Sequence, residues 1–225
     1  MRCHVAFTPA EAAAAPLGIV VDVMRATSTI AQALAAGYRR VLCCAEIEEA
    51  RALREELRDT AITGGERSAT RIAGFDAGAS PREFLEPRAE SLILSTTNGT
   101  RAIVSASRSC DDVVLGSLLN LEAVTARARD QGTVVLCAGF KGAFAIDDAY
   151  CAGRIVQLLD AERTDAAIAA ELVAERFPRA IDGLNARTYG PPGLEEDLAW
   201  CAQESVLDVV PRFARMVGPA AEIVA

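Results

Sequence analysis

The chain has 225 residues, and its mass of 23.7 kDa fits one large α/β domain or two small ones. A chain this long buries roughly 70–75% of its unfolded surface, so its core needs no disulfide or metal staple. Its hydrophobic fraction of 51% excludes long disorder, and a net charge of −8 sets it against nucleic acid and anionic membranes.

Short apolar runs alternate with amphipathic stretches, the pattern of parallel strands covered by helices. Gly18 to Val23 reads as a strand, followed by a helix from Thr27 to Ala36 that Gly37 ends. Val41 to Ala45 is the next strand, and Ile47 to Leu57 a helix with Leu53 and Leu57 on its apolar face. The glycine-rich stretch Gly64 to Pro81 reads as a functional loop. Ser91 to Ser95 is a strand leading to a helix from Thr100 to Ser107. Val113 to Leu115 and Val134 to Cys137 are strands on either side of a helix near Leu121 to Arg129. Beyond Ile146 the pattern turns mainly helical, with segments at Ala149 to Leu159, Ala166 to Arg176 and Leu194 to Gln203. Gly190-Pro191-Pro192-Gly193 breaks the chain before the last of these. The fold expected is a single three-layer α/β/α domain over residues 1–225, its central sheet largely parallel or mixed.

Seven cysteines, with no C-x-x-C pair, fit neither a disulfide framework nor a structural zinc site. No apolar run is long enough to span a membrane, and Met1-Arg2-Cys3-His4 opens no signal peptide. The expectation is a cytoplasmic protein with reduced thiols. Exposed apolar stretches such as Ile168 to Val173 leave homo-oligomerisation open.

In open α/β sheets ligands gather at the carboxyl ends of the strands. After the first predicted strand, Asp22-Val23-Met24-Arg25-Ala26-Thr27-Ser28-Thr29 offers a hard carboxylate for a divalent cation. It also offers a guanidinium and hydroxyls for an anion. The same residues read equally as a helix cap with Arg25 solvated. Gly64-Gly65-Glu66-Arg67 and Gly74-Phe75-Asp76 through Ser80-Pro81 add two carboxylates among glycines, with Ser80 a helix cap. Ser95-Thr96-Thr97-Asn98-Gly99-Thr100 forms a neutral anion cradle opening a helix, although Asn98-Gly99 also suits a plain turn. Cys137-Ala138-Gly139 leads to the paired Asp147-Asp148 at another helix start, a cap or a metal site. The one histidine, His4, lies in none of these segments, so a Cys137 nucleophile has no base beside it in sequence. Carboxylates, hydroxyls, glycines and arginine at four strand ends suit magnesium-assisted chemistry on a small anionic molecule.

These segments resemble the 2-phosphosulfolactate phosphatases of coenzyme M biosynthesis. The likeness continues through Leu115-Gly116-Ser117, Leu119-Asn120, Gly193-Leu194-Glu195-Glu196-Asp197-Leu198, Cys201 and Val210-Pro211, in order along nearly the whole chain. It implies an α/β/α phosphatase that uses Mg²⁺ to convert 2-phospho-3-sulfolactate to 3-sulfolactate and phosphate. Carried over by position, Asp22, Glu66, Asp76 and Asp148 become catalytic candidates, and Asp22, Asp147 and Asp148 metal ligands. Arg25, Thr27, Ser28, Arg67, Ser80, Thr97, Asn98 and Gly99 become phosphate or substrate contacts. Two departures bear on the substrate: Ala79 stands where the family tends to carry Asn, and Tyr189 to Gly193 replaces a more helical approach. Other readings are a phosphatase for a different phospho-hydroxy acid, a non-catalytic binder of a sulfonate or phosphate anion, and a thiol enzyme using Cys137.

Overall fold

Strand β2 (Leu17–Val21) is buried along its whole length, and its side chains alternate between two cores. Ile19 and Val21 face one side of the sheet and Val20 the other, as the two-residue period of a strand requires. The computed structural model describes residues 1–11, 13–190 and 192–225. The first half runs β1 (Arg2–Ala6), β2, α1 (Ala26–Ala36), β3 (Arg40–Cys43), α2 (Ile47–Leu57), β4 (Ala61–Arg67) and β5 (Thr70–Arg71). A 3-10 turn at Pro81–Phe84 leads to β6 (Ser91–Ser95), α3 (Gly99–Ala106), β7 (Asp112–Gly116), α4 (Leu121–Arg127) and β8 (Thr133–Cys137). Then come α5 (Ile146–Leu158), β9 (Glu162–Arg163), α6 (Asp165–Arg176), α7 (Ala180–Asn185), α8 (Glu195–Cys201), β10 (Arg212–Val217) and β11 (Ala220–Val224).

Among the described residues, eleven strands form one mixed sheet in the order β5-β4-β6-β3-β11-β10-β7-β2-β8-β1-β9. Helices α1 and α3 cover one face with Ile30, Leu34 and Ile103. On the opposite face α2 covers the β3–β4 half, while α4 to α8 cover the β1–β2 half. The architecture is therefore three-layer α/β/α. No helix among the described residues is long and apolar enough to cross a membrane. Within the stretch Ile168 to Val173, Ile168 and Leu172 are exposed on α6.

One expectation from sequence needs correction, and one pair of strands goes unread. Gly64 and Gly65 do not sit in a loop but inside β4, paired in parallel with β6. An added Cβ on Gly65 would come within 2.3 Å of the Ser95 carbonyl, so close strand approach requires the glycine. The chain beyond Ile146 is mainly helical, as expected, through α5 to α8, but it ends in two strands that the sequence reading does not mark. Its last strands, β10 and β11, form an antiparallel hairpin inserted into the middle of the sheet, between β3 and β7. Glu222, buried on β11, accepts hydrogen bonds from Arg40 at 3.0 Å and Arg215 at 2.7 Å, fastening the hairpin to β3. The expected break at Gly190 to Gly193 lies partly outside the described residues, which omit Pro191.

Ile223 is fully buried on β11, so Ile223→Ala should cost about 2–5 kcal/mol in urea denaturation. Met216 on β10 is 40% exposed, and Met216→Ala should change stability by no more than about 0.5 kcal/mol. Equal effects at the two positions would contradict the insertion.

Candidate active site

The residues that follow β2, β4, β6 and β8 line one cleft of about 310 Å³, together with the segment between α7 and α8. Asp22 directly follows β2. Its backbone N–H donates to the Thr27 hydroxyl at 3.2 Å, and its carbonyl accepts from that hydroxyl at 2.9 Å and from the Thr27 amide at 3.0 Å. The Ser28 hydroxyl donates to the Val23 carbonyl at 2.8 Å. Thr27 and Ser28 are thus fully buried parts of the turn that aims Asp22, not contacts for an anion. The Met24–Arg25 peptide within this turn is cis.

Arg25 lines the cleft, but its Nη1 is held by Asp197 Oδ2 at 2.5 Å. The Ser80 hydroxyl donates to the other oxygen of Asp197 at 2.5 Å. Asp197 on α8 therefore occupies two groups that sequence assigns to the substrate. Arg67 is occupied as well, donating to the Ser95 hydroxyl at 2.9 Å and to the Ala45 carbonyl at 3.2 Å. Thr97 and Asn98 do reach the cleft. Gly99 stands where an added Cβ would lie 2.6 Å from Asp22 Oδ2, so only glycine lets α3 start against this carboxylate.

The five candidate carboxylates separate by their partners. Asp76 is outside the cleft, accepting from the Thr63 amide and hydroxyl, both at 2.8 Å. Burial works against its charge, but the Thr63 bonds and Arg54 hold its carboxyl below the usual range. Asp148 is buried with both oxygens engaged, Oδ1 by the Val23 amide at 2.9 Å and Oδ2 by the Gly139 amide at 3.0 Å. It ties the turn after β2 to the turn after β8, and does not line the cleft. Glu66 lines it, pinned by the Thr97 amide at 2.8 Å and the Ala69 amide at 2.6 Å. Asp147 Oδ1 accepts from the Tyr189 hydroxyl and from the Asp148 amide. Among the described residues, the Asp22 carboxylate accepts only a long bond, 3.4 Å, from the Ala26 amide.

Asp22 and Asp147 are therefore the cleft carboxylates with an oxygen free. Among the described residues no three His, Cys, Asp or Glu side chains are grouped to hold a metal by themselves. Mg²⁺ does not require that, because it keeps several waters and commonly takes one or two carboxylates plus substrate phosphate. The donor set of Asp22 and Asp147 fits such an ion; Asp148, with both oxygens engaged, does not.

Burial, reinforced by the charges of Asp147 and Glu66, pushes the Asp22 carboxyl up to about 7. Burial raises Asp147 against the pull of the Tyr189 hydroxyl, and raises Asp148 together with the charges of Asp147 and Asp22. Cys137 is buried outside the cleft, and burial beside Asp148 pushes its thiol up. A thiolate there is disfavoured, so the thiol-enzyme reading loses its nucleophile. His4 does not line the cleft; its Nδ1 lies 2.9 Å from the Thr164 hydroxyl. Sequence reasoning misses Arg187 and Tyr189, which line the cleft from the segment after α7, and Asp197 on α8. None follows a strand; Asp197 lies in the Gly193 to Leu198 likeness and Tyr189 in the stretch noted as a departure, but the sequence gives neither a role in the site. Lys141 and Phe140 follow β8 and were legible as position but not as role.

The raised carboxyls set a pH dependence. Unfolded aspartates lose their protons near pH 4, whereas folded Asp22 keeps its proton to about pH 7. Between those values the folded state binds more protons, so stability falls as pH rises. In chelator, the urea midpoint should be lower at pH 8 than at pH 5.5. Asp22→Asn should narrow that difference, which corresponds to an unfolding free energy on the order of a few kcal/mol.

A family model described as 2-phosphosulpholactate phosphatase matches residues 5–215. A Thermus thermophilus protein named probable 2-phosphosulfolactate phosphatase is 35% identical over 234 residues, covering 98% of each chain. Proteins of the same name from Pseudothermotoga lettingae and Clostridium novyi are 36% and 33% identical. They match 93% and 87% of this chain, and 94% and 88% of their own. The cleft-lining strand ends fall within the family match, and the chain belongs to the 2-phosphosulfolactate phosphatase family.

Proposed function

We propose that the protein hydrolyses the phosphate monoester of 2-phospho-3-sulfolactate, releasing 3-sulfolactate and phosphate, with Mg²⁺ at Asp22 and Asp147. The observation that carries this reading is the pair of cleft carboxylates with free oxygens, set beside the N-termini of α1 and α3. Backbone N–H groups at helix starts suit the phosphoryl oxygens. Bound Mg²⁺ would offset the negative charge of those oxygens. Glu66, immobilised by two amides, is the carboxylate fixed firmly enough to orient the attacking water. The water oxygen bonds to phosphorus as the ester P–O bond breaks. One water proton ends on the released hydroxyl, and the other stays with phosphate. Asn98, whose Oδ1 accepts from the Lys141 amide at 3.2 Å, braces the turn after β6 against the turn after β8.

A phosphate-release assay with 2-phospho-3-sulfolactate tests the reading. Turnover should vanish in excess chelator and return with Mg²⁺. Asp22→Asn and Glu66→Gln should each lower kcat by about 10²–10⁴-fold while the protein stays folded. Asp76→Asn should leave kcat/KM near wild type, since that carboxylate stands outside the cleft. Release only from other phospho-hydroxy acids would move the substrate but keep the chemistry. Binding of sulfolactate with no turnover under any divalent cation would make the protein a binder instead.

A further inference from the structure

Three cationic side chains line the cleft: Arg25, Lys141 and Arg187. Arg25 is taken by Asp197. Lys141 Nζ lies 5.3 Å from the centre of the Phe140 ring, and that ring stacks on Tyr189 at 4.1 Å. Arg187 is different. Its Nη1 is shut off from solvent and has no hydrogen-bond partner among the described residues. A buried donor in that state costs stability, and a guanidinium costs more than a neutral group. Carboxylates are not scarce in a chain of net charge −8. The nearby Asp147 feels the Arg187 charge, yet its Oδ1 takes the Tyr189 hydroxyl and the Asp148 amide instead.

The position of Arg187 argues for a ligand group other than the phosphate. The proposed phosphoryl chemistry uses Asp22, Asp147, Glu66 and the helix starts after β2 and β6, which leaves Arg187 without a role in it. Arg187 comes from the segment after α7, and its charge is also felt by Cys201 on α8. The substrate assigned under the proposed function carries two anionic groups besides its phosphate.

Resting on that reading, we infer that Arg187 is a specificity-determining residue: its guanidinium, which lines the cleft and has a nitrogen without a protein partner among the described residues, receives a carboxylate or sulfonate of the substrate, not the phosphoryl group. Lys141 is the remaining cation free to help neutralise a ligand with several charges. A planar guanidinium suits carboxylate and sulfonate oxygens better than an ammonium, so lysine is an incomplete replacement.

The test compares kcat/KM for 2-phospho-3-sulfolactate with that for a phosphate ester lacking any further anion, such as p-nitrophenyl phosphate. In Arg187→Gln the ratio of the two should fall roughly 10- to 100-fold, the range for a lost charge-assisted hydrogen bond. The loss should appear mainly in KM, and Arg187→Lys should recover part of it. 2-Phospholactate, which lacks the sulfonate, separates the two anions: a loss retained with it assigns the carboxylate, and a loss removed assigns the sulfonate. An equal fall on every ester, or no fall on any, overturns the inference. Calorimetry with 3-sulfolactate keeps it separate from the proposed function and serves if Arg187→Gln does not fold. Weaker binding to Arg187→Lys than to wild type, with no turnover by either, sinks the phosphatase reading and supports Arg187. Unchanged binding sinks Arg187.

Discussion

Everything at the cleft depends on one carboxylate that never reaches it. Asp148 accepts two backbone amides, one from the turn after β2 and one from the turn after β8. Those bonds join the two turns that carry Asp22 and Asp147, and the Asp147 charge adds to burial in raising the proton affinity of Asp22. Bringing acids together out of water is unfavourable in a chain of net charge −8, and the surrounding packing must oppose it. Under the proposed function, the same crowding that weakens the fold would favour a small, hard cation at the pair. Stability and function pull in opposite directions here, as is common where charge is concentrated for chemistry.

The layers around the cleft show what sequence alone can convey. Ile47–Leu57 reads directly as a helix because its pattern is amphipathic and Glu46 with Glu49 closes a capping box at its start. Ser91–Ser95 reads as a strand because it is uniformly apolar between polar flanks and is buried throughout. β10 and β11 resist such reading. Arg212, Arg215 and a bulge between Phe213 and Arg215 break the alternation, and Ala220-Ala221 has little strand preference. Only the neighbouring strands make that segment a hairpin.

The site was legible to a similar extent. Strand-end position correctly brings Asp22, Glu66, Thr97, Asn98 and Asp147 to one cleft. It cannot tell a free oxygen from an engaged one, which is why Asp148, Ser80 and Arg67 look like ligand contacts in the sequence. Their partners are Val23 and Gly139, Asp197, and Ser95 with Ala45. Most of these lie far along the chain, so composition and spacing carry no trace of them. Arg187 is invisible for the reverse reason: it reaches the cleft from a segment without periodicity, and Tyr189 in the same segment shows only as a departure from the family pattern.

The inserted hairpin makes residues 212–224 the keystone of the sheet. Without it, strands β5-β4-β6-β3 and strands β7-β2-β8-β1-β9 would be two separate slabs. Glu66 and Thr97 belong to the first slab, Asp22 and Asp147 to the second. A register slip of one residue at the hairpin would slide one set of acids past the other by about 3.3 Å, more than catalytic alignment tolerates. Assembly of the cleft is thus tied to contacts between residues nearly two hundred positions apart, such as Val41 with Ile223. Pairing across such a distance is slow to form, so the reactive geometry should emerge with the closing of the sheet and not before it.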